Sequence, residues 1–163
     1  MRRTQFEEFL RRITPSMSEP SASTAPRPQR PIVPFLRLGS GDDPPHLVAK
    51  KCKHCGALFW GNRVACARCH RSEGFEEIRV SNRGTLWTYS IVHQSMPGIP
   101  VPYVAAIVDL PEGISVRCTL VDVEPDPAKL QFGMPVELIT RKVREDKDGN
   151  DVIAFFFHPA RTA

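Results

Sequence analysis

Two short cysteine motifs, Cys52-Lys53-His54-Cys55-Gly56 and Cys66-Ala67-Arg68-Cys69, carry the strongest chemical signal in the chain. A C-x-x-C turn directs two thiolates at one centre, and two such turns that face each other form a tetrahedral cage of four sulfurs. Zn²⁺ suits this cage because it has no redox chemistry of its own. The sequence therefore predicts a structural Zn²⁺ whose ligands are Cys52, Cys55, Cys66 and Cys69.

Other interpretations of the cysteine motifs are less well supported. Two disulfides are disfavoured because nothing marks the chain as secreted, and a thioredoxin-like redox pair is disfavoured because no βαβ pattern surrounds either motif. His54 and His70 could replace a cysteine as ligands, but a set of four cysteines needs neither. Such a set has no open coordination position, so it holds shape and does not activate water.

Length and composition predict one or two small domains in a chain of 163 residues. The chain contains no run of about 18 apolar residues, so we predict no membrane span. The apolar segment that follows the arginines of a signal peptide is also missing, so we predict no signal peptide. Reduced cysteines and the lack of an export signal together predict a location in the cytoplasm. Residues 46–75 carry six basic residues and one acidic residue, whereas residues 76–163 carry nine basic and twelve acidic residues. This basic character is mild and local, unlike the dense basic surface of a nucleic-acid binder.

Residues 1–34 read as a short helix followed by a Pro-rich flexible extension. Phe6, Phe9, Leu10 and Ile13 recur at helical spacing within residues 4–14. Such a short helix is marginal alone, so it either docks on this chain or a partner, or frays. Residues 15–34 are rich in Pro, Ser, Ala and Arg, and read as a linker.

Residues 35–75 are predicted to form a zinc ribbon. The segment Phe35–Leu38 is expected to pack a short element against the domain, and His46–Lys51 is expected to form the first ribbon strand, leading into Cys52. The ten residues between the two motifs leave room for a small hairpin. Gly56 follows the second cysteine, at a position where the backbone of a C-x-x-C turn often needs a positive φ.

Residues 76–160 are predicted to form a five-stranded barrel of the OB type, with an SH3-like barrel or a small sandwich as the alternative. Trp87, Tyr89 and Ile91 recur at period two in the first strand. A longer connection with a helical turn at Pro127–Leu130 separates the third and fourth strands, and Asp146–Asn150 reads as a charged hairpin loop. The predicted strands are Gly84–His93, Tyr103–Leu110, Ile114–Leu120, Val136–Thr140 and Val152–Phe157.

No residue pattern predicts a free-standing active site. Cys118 lies in an alternating apolar strand, where a thiol is usually inert packing. His93 ends the first barrel strand and reads as a capping or solvent-facing residue. We find no Ser/His/Asp set, no glycine loop for phosphates and no paired carboxylates. We therefore expect the chain to be non-catalytic by itself.

The order of an N-terminal extension, a zinc ribbon and then a barrel resembles the DUF35 family, which joins a rubredoxin-like zinc ribbon to an OB barrel. The resemblance covers roughly residues 35–160. It departs from the family pattern at Asn62-Arg63, at Cys66-Ala67, and at Gly39–Pro45, where a Pro-rich segment stands in place of a helix. The stretches that carry it, besides the two cysteine motifs, are Arg63, Gly84–Tyr89, Pro102–Leu110, Gly113, Gly133–Val136 and Phe155–Pro159.

The resemblance implies an accessory subunit that pairs with a thiolase-superfamily enzyme and helps to assemble the complex or to channel acyl-CoA. The partner would perform acyl-CoA thiolysis, retro-aldol cleavage or a related acyl transfer. Phosphates of CoA could meet basic residues of the ribbon, and the pantetheine arm could run along aromatic and apolar residues of the barrel. The candidate ligand-binding residues are Lys50, Lys51, Lys53, Arg63, Arg68, Trp87, Tyr89, Met96 and Tyr103.

Two other functions remain open. OB barrels also bind single-stranded nucleic acid on aromatic platforms, and Trp87, Tyr89 and Tyr103 could be such platforms. The net negative charge of the barrel region works against phosphate-backbone binding. A non-catalytic structural adaptor is the remaining alternative.

Overall fold

A computed structural model of the protein describes residues 27–160, which form two small β-sheets. The predicted helix at residues 4–14 lies outside the described residues. The strands are β1 (Gln29–Pro31), β2 (Leu36–Arg37), β3 (His46–Cys52), β4 (Leu58–Phe59), β5 (Phe75–Arg79), β6 (Arg83–Val92), β7 (Tyr103–Leu110), β8 (Ile114–Leu120), β9 (Pro135–Glu145) and β10 (Asp151–Pro159).

The five C-terminal strands close into a barrel in the order β6-β7-β8-β10-β9 and back to β6. All neighbours are antiparallel except β8 and β10, which are parallel. This is the predicted five-stranded OB-type barrel, and the alternative of an SH3-like barrel or a sandwich is not found. Along β7 every second residue, from Val104 to Leu110, is buried in the core, as expected for a strand that lines a closed barrel.

Strand β6 contains a β-bulge that the sequence pattern does not reveal. The pairing of β6 with β7 shifts register between Leu86 and Thr88. A bulge inserts one residue and disrupts the alternation of faces. As a result Trp87 is 60% exposed, whereas Tyr89 and Ile91 pack against the core. The period of two predicts that Trp87, Tyr89 and Ile91 lie on one face of the strand, and this prediction is wrong for Trp87.

The connections of the barrel match their predicted positions. The segment between β8 and β9 contains a 3-10 turn at Pro127–Lys129, where the Asp126 carboxylate accepts a hydrogen bond from the Ala128 amide at 2.9 Å. The hairpin between β9 and β10 is organised by Asp146, whose side chain accepts hydrogen bonds from the amides of Asp148 and Asn150. Strand β9 is longer than predicted, because it continues along β10 to Glu145.

The N-terminal sheet is built around β3, which pairs with β2, β4 and β5. This places Phe35–Leu38 and His46–Lys51 as predicted. The ribbon sheet extends to Arg79 through β5, past the predicted boundary at residue 75. Glu77 of β5 contacts Arg37 at 2.8 Å and Lys50 at 3.3 Å. Burial raises the pKa of Glu77, but the hydrogen bonds from Arg37 and Lys50 outweigh it and lower the pKa.

Strand β1 corrects the linker prediction for part of residues 15–34. Gln29–Pro31 pairs in parallel with Asp151–Ile153 of β10, and the Ile32 amide donates to the Ile153 carbonyl at 2.8 Å. This pairing uses backbone groups at a sheet edge, where proline is tolerated. It therefore needs no apolar alternation, which is why the composition of the segment did not predict it.

The ribbon and the barrel share one hydrophobic core. Leu36, Leu47 and Ala49 of the ribbon sheet belong to the same buried cluster as the barrel interior. The Phe35 ring lies 5.1 Å from Trp60 of the ribbon and 5.9 Å from Phe155 of β10, between ring centroids. The two units are therefore packed together and not merely connected by a linker.

Trp60 joins the ribbon to the barrel where two barrel strands part. Strands β8 and β10 pair only at Leu120 and Phe157. Before that pair, Trp60 Nε1 donates a hydrogen bond of 2.7 Å to the Ser115 carbonyl of β8, and Phe35 packs on Phe155 of β10. The ribbon side thus contacts both strands at the opening between them.

We expect the Trp60→Phe variant to lose about 1 kcal/mol of unfolding free energy, because it removes the donor to Ser115 while keeping an aromatic ring. The matched control is Trp87→Phe, whose exposed ring should change stability by less than about 0.5 kcal/mol. Urea unfolding followed by far-ultraviolet circular dichroism measures both. Equal losses in the two variants would contradict a role for the Trp60 hydrogen bond.

Candidate metal centre and binding surfaces

The four ribbon thiols meet at one point. All four sulfur atoms lie within 4.8 Å of one another. The Sγ atoms of Cys52 and Cys69 are 3.7 Å apart, and those of Cys55 and Cys66 are 3.5 Å apart. A tetrahedral site with metal–sulfur bonds of about 2.3 Å requires sulfur atoms about 3.8 Å apart. The donor set and its spacing therefore fit a single metal ion.

The two cysteine turns have the same backbone construction. In the first turn, the Gly56 amide donates to the Cys52 carbonyl at 2.8 Å and the Cys52 amide donates to the Ala57 carbonyl at 2.9 Å. In the second turn, the His70 amide donates to the Cys66 carbonyl and the Cys66 amide donates to the Arg71 carbonyl, both at 2.8 Å. Gly56 has the expected positive φ of 73°, and His70 occupies the equivalent position with φ 60°. The cluster consists of thiols only, so neither His54 nor His70 belongs to it.

Hydrogen bonds within the two turns also change the pKa values of two of the thiols. Burial raises the pKa of the Cys66 thiol, but hydrogen bonds from the backbone of Cys69 and Arg68 outweigh it and lower the pKa to about 6. A backbone hydrogen bond from Ala57 lowers the pKa of Cys55, whereas burial and the neighbouring thiols raise it to about 11. Since a metal ion binds thiolates, its binding would displace the protons that these sulfurs hold.

The fifth cysteine is separate from the cluster. Burial raises the pKa of Cys118 to about 12, so its thiol stays protonated and unreactive near neutral pH. All five cysteines are free thiols in the described part of the chain. The predicted packing role of Cys118 agrees with its contact with the core.

The candidate ligand residues of the ribbon are spread over its surface. Lys50 is engaged with Glu77, and the Arg63 guanidinium lies 5.3 Å from the centre of the Phe59 ring. Lys53 and Arg68 are exposed and Lys51 is half-buried. None of these five residues lines the depression around Arg117 or the one around Arg144, and their role in ligand binding stays a prediction.

The candidate residues of the barrel separate into different environments. Tyr89 is half-buried, and its hydroxyl donates a 3.5 Å hydrogen bond to the Leu130 carbonyl. Met96, which is 72% exposed, lies in the loop between β6 and β7. Tyr103 begins β7 opposite Val92. Only Trp87 and Met96 present most of their side chains to a ligand or a partner.

Sequence reasoning missed Phe132, which is 70% exposed and stacks at 5.4 Å on Tyr89. The Gly133 amide donates to the Leu86 carbonyl at 2.7 Å, which brings the backbone of Phe132 beside that of Trp87. We call Trp87 and Phe132 the aromatic pair. The signal available in the sequence was an aromatic residue just before the Gly133-Met134-Pro135 strand start.

Within residues 27–160, no helix is both long and apolar enough to cross a membrane. His93 is exposed at the end of β6. The described residues thus present a closed thiol cluster, an exposed aromatic pair and a barrel surface. They define a class of protein: an OB barrel fused to a four-cysteine ribbon.

Comparison with known proteins agrees with this class. Residues 77–141 match the family described as "ChsH2, C-terminal OB-fold domain". The chain is 37% identical over 117 residues to a DUF35 domain-containing scaffold protein of Methanothermobacter thermautotrophicus, covering 70% of this chain and 86% of that protein. It is 30% identical over 146 residues to the benzoylsuccinyl-CoA thiolase subunit BbsA of Thauera aromatica, covering 86% of this chain and 98% of that subunit.

A solved structure described as "Ltp2-ChsH2(DUF35) aldolase" is also similar, with 27% identity and a TM-score of 0.56 over 70% of this chain and 84% of that chain. The chain belongs to the DUF35 family. The resemblance drawn from the cysteine motifs and the barrel stretches is thereby confirmed.

We expect the double variant Cys52→Ser/Cys55→Ser to lose its metal, from about one ion per chain to none, and to lose the order of the ribbon sheet. Elemental analysis by mass spectrometry measures the metal, and circular dichroism measures folding. Cys118→Ser is the matched control and should keep the metal. Native-like folding of the double variant without metal would refute the structural role.

Proposed function

We propose that this chain is a non-catalytic accessory subunit that pairs with a thiolase-superfamily enzyme in acyl-CoA metabolism. The observation that carries the proposal is the similarity to BbsA, a thiolase subunit matched over 98% of its length. The "Ltp2-ChsH2(DUF35) aldolase" structure adds a second case of a DUF35 chain in an enzyme assembly. The closed thiol cluster and the high pKa of Cys118 agree with a subunit that leaves the reaction to its partner.

The metal in this proposal is structural Zn²⁺. A cluster of four thiolates suits Zn²⁺, which accepts tetrahedral sulfur coordination and brings no redox chemistry. The ion would hold the two cysteine turns together, and no step of a reaction passes through it. Free thiols are stable in a reducing compartment, so we place the protein in the cytoplasm.

The aromatic pair is the surface that we propose to contact the partner enzyme. The backbones of Trp87 and Phe132 are adjacent and both side chains are mostly exposed, although aromatic side chains of this size are usually buried. Interfaces are enriched in such residues, which contribute much of the binding energy when a partner covers them. The bulge in β6 is what turns Trp87 outward, and bulges commonly re-aim a side chain at a functional surface.

The same proposal includes contact with acyl-CoA at the edge of the partner interface. Phosphate groups of CoA would meet Lys51, Lys53 and Arg68, and the pantetheine arm would pass Met96 and Trp87. Lys53 and Arg68 are exposed and Lys51 is half-buried, and none of the three forms an ion pair with another described residue. They are therefore available to an anionic ligand.

We expect a thiolase-superfamily protein to co-purify with the tagged chain from its native host. The double variant Trp87→Ser/Phe132→Ser should recover at least about tenfold less of this partner, since aromatic residues that become buried in an interface are common hot spots. Val64→Ser is the matched control, because Val64 is 90% exposed on the ribbon and lies outside the aromatic pair. Quantitative mass spectrometry measures recovery, and thermal melts confirm that all variants are folded.

The same purified chain decides between this proposal and nucleic-acid binding. The exposed aromatic pair could also stack bases, and such binding would appear as a salt-dependent shift with oligo-dT. A shift of that kind, together with no thiolase among the recovered proteins, would overturn the accessory-subunit proposal. Equal recovery by the double variant and the wild-type chain would overturn the proposed contact surface alone.

A further inference from the structure

The outer face of β6, β7 and β8 contains a depression of about 270 Å³. It is smaller than the ~300–1,000 Å³ typical of sites for drug-sized ligands. It lies apart from the thiol cluster, and its lining includes Arg117, which the preceding proposals leave unused. The other side chains that shape its outer surface are Thr88, Ser90, Ala105 and Ile107.

The strand register explains why this face is concave. Ala105 of β7 is paired with Ser90 on one side and Thr119 on the other, so three small side chains form one row across the sheet. The adjacent row runs from Thr88 through Ile107 to Arg117. Small side chains in the first row leave a hollow, and Ile107 supplies its apolar wall.

Arg117 is the one basic residue of this outward-facing pair of rows, and it has no ion-pair partner among residues 27–160. The acidic residue of the same face, Asp109, instead accepts a hydrogen bond of 2.5 Å from the Ser115 hydroxyl. A guanidinium ion presents a planar fork of donors that matches a carboxylate. The depression therefore combines an apolar hollow with a single cationic donor at its rim.

We propose that this depression binds a small carboxylic acid, with its apolar body over Ala105 and Ile107 and its carboxylate on Arg117. One guanidinium beside an apolar floor suits a single carboxylate better than a polyphosphate, which needs several cations. The hydroxyls of Thr88 and Ser90 are placed to add hydrogen bonds. This inference goes beyond the proposed accessory role, because the site lies on this chain alone and requires no partner enzyme.

The test is a titration of the isotope-labelled full chain with phenylbutyrate, followed by amide shifts in nuclear magnetic resonance spectra. Phenylbutyramide, which has the same shape without the charge, is the comparison ligand. Shifts should map to the outer face of β6–β8. The carboxylate should bind at least about tenfold more tightly than the amide, as expected for hydrogen bonds to a charged group.

Two variants at the depression separate the charge from the hollow. Arg117→Gln should weaken phenylbutyrate binding at least about tenfold and remove the preference over the amide, whereas Arg117→Lys should keep part of that preference. Ala105→Leu should block both ligands by filling the hollow. Arg144→Gln is the matched control, because Arg144 lines a different depression with Arg30 and Asp146 and should leave binding unchanged.

Equal affinity for acid and amide, unchanged binding in Arg117→Gln, or shifts outside the outer face of β6–β8 would each overturn the proposal. The spectra themselves report whether a variant is folded, and if Ala105→Leu is not, the Arg117 variants decide the question. These outcomes are independent of partner recovery. A failed carboxylate site thus leaves the accessory-subunit proposal standing, and the reverse also holds.

Discussion

The contact of Trp60 and Phe35 with the barrel is the constraint on which the rest of the structure depends. An OB barrel must close between its third and fifth strands, and here β8 and β10 meet at a single residue pair. Trp60 donates to Ser115 on β8, and Phe35 bridges Trp60 to Phe155 on β10. A ribbon residue thus satisfies a barrel carbonyl, and a buried cluster continuous with the ribbon completes the barrel core. The ribbon is a structural part of the barrel and not an appended module.

The thiol cluster is connected to the barrel through this contact. The second cysteine of the first motif, Cys55, lies five positions before Trp60 in the chain, with β4 between them. A metal ion bound by the four sulfurs would fix the turn that precedes β4, and β4 leads directly to Trp60. Order at the sulfurs would therefore extend over a short, paired segment to the opening between β8 and β10. A bound metal ion without a catalytic role would thus support the closure of the barrel as well as the ribbon.

Local patterns in the sequence predicted the ribbon and the barrel, because each follows from short-range chemistry. Cysteine spacing indicates a metal site directly, and the alternation of apolar and polar residues along Ile114–Leu120 indicates a barrel strand. The failures have a different origin. Strand β1 forms through backbone pairing with the far end of the chain, which no local pattern encodes. The outward position of Trp87 depends on a bulge, and bulges leave no mark on an otherwise alternating strand. The exposure of Phe132 arises from a loop that folds back on Leu86.

The pairings of β10 also set the order in which the chain can assemble. As the last strand, β10 contacts β9 beside it in sequence, β8 across the long loop, and β1 from the beginning of the described chain. During synthesis the ribbon motifs emerge early, whereas β1 and the edge of β8 have no partner until β10 leaves the ribosome. Contacts between residues so distant in sequence slow folding. The nascent chain therefore carries both cysteine motifs before its barrel can close, and unpaired strand edges of this kind are prone to wrong association until the C-terminal strand arrives.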